Sequence, residues 1–306
     1  MTDSSKVMDI QVNGYGGVDF NQDDLTLEAL RTACVKLEAD GVSGILATII
    51  TDHLDVMANR LARLASLREQ DPLVRQMIPG FHIEGPFINP ADGYRGAHPL
   101  DAVQPAQVDG MQRLLDAAEG LTRVVTLAPE CDAQMAVTRL LRKCNVVVSA
   151  GHCNPSLDQL DAAIDAGLSM FTHLGNGCPM LMHRHDNIVQ RALSRHDHLW
   201  LCFIADGVHV PFEALGNYLA SAGLDRCIVV TDAIAPAGLG PGRYTLSRWE
   251  LEIGEDCVAR APDGSHLVGS AISMPRVRTN LKEQMGLSDD AIDQLIAINP
   301  ARVLAG

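Results

Sequence analysis

The feature that most constrains the fold is an apolar, β-branched run that recurs eight times along the chain. Each run ends in polar or glycine residues, and a stretch with helical periodicity follows. Strands that are apolar throughout are typical of a parallel sheet covered by helices. Eight of them favour an α/β fold of the (β/α)8 TIM-barrel type over an open doubly wound sheet. The runs are 7–13, 44–51, 77–84, 122–129, 145–152, 168–173, 199–205 and 227–231.

The segment after the eighth run has a different pattern. Residues 244–246 and 249–253 alternate in polarity, and a Pro-Asp-Gly turn follows at 262–264. We predict a short β-hairpin insertion there, before the last helices. No composition shift or linker divides residues 1–306, so we expect a single barrel domain.

Composition excludes several classes of function. The 306 residues carry a formal net charge of −14, whereas nucleic-acid binding needs basic surfaces. No apolar run approaches the roughly 18 residues of a membrane span, and the N-terminal residues lack the apolar segment of a signal peptide. We therefore expect a cytoplasmic protein with no nucleic-acid or membrane partner. The eight scattered cysteines favour buried, reduced thiols over disulfides.

Polar residues that could carry chemistry stand where the apolar runs end. Because the active site of such a barrel lies at the carboxyl ends of its strands, these side chains are expected to meet. One carboxylate with two imidazoles would bind Zn²⁺ or Fe²⁺, and a further carboxylate would suit acid–base work. Taken alone, a histidine at a strand end is more often a hydrogen-bonded structural residue than a metal ligand. The residues are Gln11, Asn13, His82, Glu84, His152, His173, Asn176, Asp206, His209 and Asp232.

Several segments, spread over nearly the whole chain, carry a more specific signal. They are QVNGYGG at 11–17, HIEGPF at 82–87, GAH at 96–98, GHCN at 151–154, THLGN at 172–176, ADGVH at 205–209, VTDA at 230–233, APAG at 235–238 and LVGS at 267–270. In this order they resemble the N-acetylglucosamine-6-phosphate deacetylase family of the amidohydrolase superfamily. The resemblance implies metal-dependent hydrolysis of N-acetylglucosamine 6-phosphate to glucosamine 6-phosphate and acetate, in amino-sugar catabolism.

The resemblance also implies roles for individual residues. Glu84, His152 and His173 would hold one divalent metal ion, with zinc favoured and iron, cobalt or manganese as alternatives. Asp232 would be the acid and base, and His209 would bind the acetyl carbonyl or its oxyanion. The substrate contacts that it implies are Ala97, His98, Asn176, Gly177, Arg184, His209, Leu267, Val268 and Gly269.

Arg184 and His82 each have two readings. The planar guanidinium of Arg184 suits bidentate binding of a phosphate, while the alternative is a solvated loop arginine. His82 shares a strand face with Glu84, but the three-residue metal site is complete without it. We therefore expect His82 to support the site or to pack in the core.

The chain departs from the family pattern at three places. Gln11 and Asn13 stand where many amidohydrolases have two histidines, and amides bind transition metals poorly, so we expect one metal ion. The loop at 174–180 differs from the family's usual sequence, which leaves the sugar epimer open. The family's β-sandwich is expected to be missing, which leaves open whether its homodimer forms.

Two other functions stay open at this point. One is a related amidohydrolase reaction, on the galactosamine epimer or on an unphosphorylated N-acetylated sugar. The other is a sugar-phosphate-binding barrel without catalysis. Retention of Glu84, His152, His173 and Asp232 together argues against the second alternative.

Overall fold

The centre of the computed structural model is a sheet of eight parallel strands arranged in chain order. The structure describes residues 6–246, 249–254, 258–260 and 267–305. The strands are β1 (Val7–Val12), β2 (Val42–Ile50), β3 (Gly80–Glu84), β4 (Thr122–Leu127), β5 (Val147–Ala150), β6 (Leu168–Phe171), β7 (Trp200–Ile204) and β8 (Cys227–Val230). Together they form a nearly closed parallel barrel surrounded by helices, which confirms the predicted barrel.

Helices cover the outside of the barrel. Side-chain caps define several of their starts: the Thr26 side chain accepts from the Ala29 N–H, and Ser156 and Gln159 form a reciprocal capping box. The helices are α1 (Leu27–Ala39), α2 (Leu54–Glu69), α3 (Pro72–Met77), α4 (Val108–Ala117), α5 (Ala136–Lys143), α6 (Leu157–Ala166), α7 (Ile188–Leu193), α8 (Phe212–Ala222), α9 (Met274–Glu283), α10 (Asp289–Asp293) and α11 (Asn299–Ala305).

The apolar core has two layers. A large cluster packs the outward faces of the strands against the helices, and Phe81 of β3 is fully buried in it. A smaller cluster fills the inside of the barrel with residues such as Leu46, Val124 and Met170. Strands that are apolar on both faces are what these two layers require.

Truncating Phe81 is expected to test the outer layer. The Phe81→Ala variant should lose about 3–5 kcal/mol of unfolding free energy, because a fully buried ring is replaced by a cavity. Urea unfolding measures this loss. The matched control is Leu100→Ala, at a side chain that is 57% exposed, where we expect a change within about 0.5 kcal/mol. Equal losses in the two variants would contradict the packing described here.

The seam between β1 and β8 closes the barrel without a regular ladder of backbone hydrogen bonds between these two described strands. A single parallel bridge joins Val12 to Ala233. The Asn13 N–H donates to the Ala233 carbonyl at 2.7 Å. On its other edge, β1 shifts register against β2 between Asp9 and Val12. Side chains and loop backbone therefore carry much of the closure.

The segment after β8 contains four strands, whereas the sequence pattern predicted one hairpin. They form an antiparallel sheet in chain order, and the predicted turn at 262–264 lies outside the described residues. The sheet ends beside the barrel seam, where the Ile234 N–H donates to the Ser270 carbonyl. The strands are β9 (Gly242–Leu246), β10 (Trp249–Ile253), β11 (Val258–Arg260) and β12 (Leu267–Ser270).

Two further predictions concern the described residues. Their seven cysteines are all unpaired thiols, as expected from their scattered positions. In this part of the chain, no helix combines the length and the apolar character that crossing a membrane requires.

Candidate active site

Four of the predicted site residues meet where their strands end. Glu84 is the last residue of β3, while His152, His173 and Asp232 follow β5, β6 and β8. All four line one cavity of about 330 Å³. Glu84, His152 and His173 are buried, and Asp232 is partly exposed. The carboxyl ends of the strands thus bring residues that are far apart in sequence into one site.

Glu84 lies at the centre of this site. Its Oε1 is 3.0 Å from His173 Nε2 and 3.3 Å from His152 Nε2. Its Oε2 accepts a hydrogen bond from Gln11 Nε2 at 3.2 Å. Burial acts to raise the pKa of Glu84, but the hydrogen bonds with His152 and His173 hold that pKa well below its usual range. Glu84 is therefore an ionised carboxylate surrounded by donors.

The donor set fits a divalent metal ion. Glu84, His98 and His152 each present one ligand atom, and these atoms lie within 4.8 Å of one another. His173 contacts the same Glu84 oxygen as His152 does. The Nδ1 atoms of His98 and His173 are buried without a hydrogen-bond partner among the described residues. Imidazole and carboxylate groups are the usual ligands of zinc and similar ions.

The orientation of His152 suits a metal ligand. Its Nδ1 lies 2.8 Å from the Tyr94 carbonyl, which can only accept, so Nδ1 carries the proton. Nε2 is then the ring nitrogen that is directed at Glu84 and available to a metal ion, the arrangement by which outer contacts orient ligating histidines. Gly177 packs against this ring: a Cβ there would lie 2.9 Å from His152 Nδ1.

Three of the site residues have a left-handed backbone. The φ angles are 50° at His152, 30° at His173 and 50° at Asp232. For residues with a Cβ this conformation costs about 1–3 kcal/mol, and it persists only where the surrounding structure enforces it. The fold therefore holds these three side chains at a cost in stability.

Asp232 has the properties of an acid–base group. Asn13 Nδ2 donates to its Oδ1 at 2.7 Å. Burial raises the pKa of Asp232 to about 6, and the negative charge of Glu84 contributes to the rise. A carboxyl group with a pKa near neutrality can both accept and donate a proton at physiological pH.

His209 is oriented by a second carboxylate. Its Nδ1 lies 2.5 Å from Asp206 Oδ2, and the backbone N–H groups of Val208 and His209 donate to Asp206 Oδ1. Burial acts to raise the pKa of Asp206, but the hydrogen bond with His209 lowers it overall. Since Nδ1 faces Asp206, Nε2 is the ring nitrogen that His209 can present to the cavity.

The other predicted site residues fall into three groups. Five line the cavity together with the residues above: Ala97, His98, Asn176, Gly177 and Gly269. Arg184 is exposed and is not among the lining residues. For Leu267 and Val268 the structure describes the backbone of β12 but not the burial of the side chains.

His98 lies deeper than a sugar contact alone requires. Its Nε2 is 3.2 Å from His152 Nε2, and the two ring centroids are 4.4 Å apart. His82, by contrast, is hydrogen-bonded inside the barrel, to the Ile10 carbonyl and to Thr126 Oγ1. The structure thus adds His98 to the groups that can approach a metal ion.

Sequence reasoning missed three polar residues near the site. Asp19 and Asn21 line the cavity, and Asp9 is buried beneath Asp232 in the barrel seam. The sequence could have indicated a role for Asp9, because burying a carboxylate inside an apolar strand costs free energy unless the carboxylate has a defined partner. Asp19 ends a two-residue strand, Val18–Asp19, and Asn21 follows it, in a segment whose path the sequence pattern did not predict.

Comparison with known proteins identifies relatives along almost the whole chain. No protein-family model matches. The chain is 31% identical over 297 residues to an N-acetylgalactosamine-6-phosphate deacetylase from Escherichia coli O157:H7, covering 97% of this chain and 76% of the relative. It is 30% identical to the N-acetylglucosamine-6-phosphate deacetylase of Bos taurus, over 97% of this chain and 73% of that protein.

Solved structures give the same result. One is an aspartate-to-alanine mutant of N-acetyl-D-glucosamine-6-phosphate deacetylase from Mycobacterium smegmatis, in complex with N-acetyl-D-glucosamine-6-phosphate. It matches with a TM-score of 0.86 and 28% identity, over 98% of this chain and 77% of that one. The enzyme of the same name from Pasteurella multocida matches with a TM-score of 0.86 and 25% identity, over 98% and 76% of the two chains.

Proposed function

The chain belongs to the N-acetylglucosamine-6-phosphate deacetylase family, and from this membership we propose that it is a deacetylase of amino-sugar phosphates. The reaction is hydrolysis of the acetamide of N-acetylglucosamine 6-phosphate to glucosamine 6-phosphate and acetate. One observation carries the proposal: Glu84, His152, His173 and Asp232 line a single cavity. This combination suits metal-dependent amide hydrolysis and argues against a barrel that only binds a sugar.

The galactosamine epimer is the second candidate substrate. Relatives named for either epimer match the chain with nearly equal identity, 31% and 30%. The unusual loop at 174–180 contributes Asn176 and Gly177 to the cavity wall. We propose that this loop would contact the sugar and would set the preference between the two epimers.

We propose that one divalent metal ion, with zinc favoured over iron, cobalt or manganese, is held by Glu84, His152 and His173. Such an ion supplies Lewis acidity, which lowers the pKa of water and polarises a carbonyl group. The amides of Gln11 in β1 and of Asn13 just after it support a single ion, because Gln11 donates to Glu84 and Asn13 donates to Asp232. Both amide side chains therefore bind carboxylates instead of a second metal ion.

The proton transfers fall to Asp232. It takes a proton from the water that attacks the acetamide carbon, and the raised pKa of its carboxyl group favours this uptake. When the carbon–nitrogen bond breaks, Asp232 returns the proton to the departing amine. Its hydrogen bond from Asn13 keeps the carboxylate aimed into the cavity.

His209 stabilises the charge that develops on the acetyl oxygen. Nδ1 faces Asp206 Oδ2 at 2.5 Å, so Nε2 is the ring nitrogen that would donate to the acetyl oxygen. A prearranged donor at a developing oxyanion is among the strongest contributions to catalysis.

We also propose roles for the remaining predicted substrate contacts and for the chain as a whole. Ala97, His98, Asn176, Gly177 and the 267–269 segment would contact the sugar, and Arg184 would bind the phosphate after movement of its exposed loop. Residues 1–306 would act as one catalytic domain. Cytoplasmic localisation and a homodimer stay predictions.

Acetate release from N-acetylglucosamine 6-phosphate tests the proposal. The metal-replete protein should release acetate, a chelator should abolish the release, and one equivalent of metal per chain should restore it. The galactosamine epimer and unphosphorylated N-acetylglucosamine are assayed in parallel to define the sugar and the need for phosphate. No acetate from either phosphorylated epimer would overturn the function, and two bound ions in anomalous diffraction would overturn the single-metal site.

A further inference from the structure

A buried carboxylate in the barrel seam has no part in the chemistry described so far. Asp9 of β1 is 1% exposed and is not among the residues that line the cavity. Its Oδ2 accepts from Thr231 Oγ1 at 2.5 Å, and both of its oxygens lie 3.3 Å from the Thr231 backbone nitrogen. Burial raises the pKa of Asp9 to about 7. An apolar residue would avoid this burial cost, so the carboxyl group needs an explanation.

Thr231 connects Asp9 to the backbone around Asp232. Its Oγ1 donates to Asp9 and accepts from the Ala233 N–H at 3.1 Å. The hydrogen bonds of Asp9 and Thr231 therefore hold the backbone nitrogens on both sides of Asp232. Asp232 itself has a φ of 50°, a conformation that needs such support.

The residue that follows β1, Asn13, also holds Asp232. Asn13 donates through Nδ2 to the Asp232 carboxylate and through its backbone N–H to the Ala233 carbonyl. Because β1 and β8 share no regular ladder, these contacts replace ordinary strand pairing at this position. Asp9 of β1 and the adjacent Asn13 thus fix the side chain of Asp232 and the backbone on both sides of it.

We propose that Asp9 is a positioning residue for Asp232. Acting through Thr231, its carboxyl group maintains the left-handed backbone that directs the Asp232 carboxylate into the cavity. The catalytic part of this inference rests on the proposed function, but the structural part does not. The competing explanation is that Asp9 only closes the barrel, in which case its loss would lower stability without changing turnover by folded molecules.

The central variant is Thr231→Val, which keeps the shape of the side chain and removes the hydroxyl link. We expect kcat to fall by about 10- to 100-fold, as small displacements of a reacting group do. KM should stay within about twofold, because the cavity wall is unchanged. Metal content per chain should also stay unchanged. Thr231→Ser retains the hydroxyl and should keep kcat near the wild-type value.

A second variant and a matched control separate positioning from packing. Asp9→Asn should lower kcat in the same direction, and the Asp9→Asn/Thr231→Val double variant should lose less than the product of the two single effects, since both break one link. The control is Asp132→Asn. Asp132 is also buried and accepts from a threonine hydroxyl and backbone N–H groups, but at the start of α5. It should lose thermal stability while keeping kcat.

Crystal structures of the two single variants provide a readout independent of activity. The inference expects Asp232 to leave the left-handed region or its carboxylate to turn away from Asn13. An unchanged Asp232, or a kcat within about twofold of wild type in folded Thr231→Val, would overturn it. A wild-type protein that releases no acetate would overturn the proposed function instead, and the crystal structures would then decide the positioning role. If Thr231→Val does not fold, folded Asp9→Asn decides by the same two measurements.

Discussion

Replacing Asp232 with asparagine is expected to lower kcat for acetate release by about 10²- to 10⁴-fold, the usual contribution of a general acid–base group. The asparagine oxygen can still accept from Asn13 Nδ2, so the side chain should keep its place. What disappears is the capacity to take up a proton and return it. Steady-state kinetics with metal-replete protein measure the loss, and metal analysis verifies that the ion is retained.

The Asp132→Asn variant described above serves as the control for this substitution. It makes the same chemical change at a buried carboxylate far from the cavity wall. A similar loss of kcat in both variants would show that the defect of Asp232→Asn is a folding effect. Wild-type turnover by Asp232→Asn would exclude Asp232 as the acid–base group.

Replacing Glu84 with glutamine is expected to remove the metal ion and the activity together. The amide has nearly the same shape but lacks the negative charge that the two imidazoles face. Loss of an outer contact alone weakens metal binding by about 10- to 100-fold, and loss of a ligand should exceed that. Metal content after gel filtration should fall from one equivalent to a small fraction, and excess metal should restore only part of the turnover.

Glu130→Gln is the matched control. Glu130 is a carboxylate beyond the end of the neighbouring strand β4, where it accepts from Asn89 Nδ2 and from the Asn154 N–H. It does not line the cavity, so its variant should keep its metal ion. Full metal content in Glu84→Gln would show that the carboxylate is not a ligand. His98 would then be the next ligand to test by substitution.

The barrel was predictable because each of its strands is apolar on both faces. The predicted ends of the strands were less accurate. The third predicted run began at Met77, whereas in the structure Met77 ends helix α3 and β3 begins at Gly80. The Asp71 side chain caps that helix and Pro72 begins it, two local signals that outweigh the apolar character of its end. The sequence pattern predicted one hairpin rather than the four strands that follow β8. A three-residue strand such as Val258–Arg260 is too short to show alternating polarity.

The strand-end rule predicted that Glu84, His152, His173 and Asp232 would meet, because the sequence positions alone determine which strand ends carry them. It could not predict how loops return to the site. The approach of His98 to His152 depends on the path of the loop after β3, and the proximity of Asp9 to Thr231 depends on which strands close the barrel. Both are properties of closure in three dimensions.

The left-handed backbone at His152, His173 and Asp232 has a consequence for how this protein can change over time. Glycine would relieve the backbone cost at each of these positions, while it would remove the functional side chain. Selection for thermal stability alone would therefore favour the loss of these three side chains, whereas selection for the proposed turnover would retain them. In descendants that are no longer selected for catalysis, these positions should be among the first to be substituted. The barrel around them would then become more stable as its activity was lost.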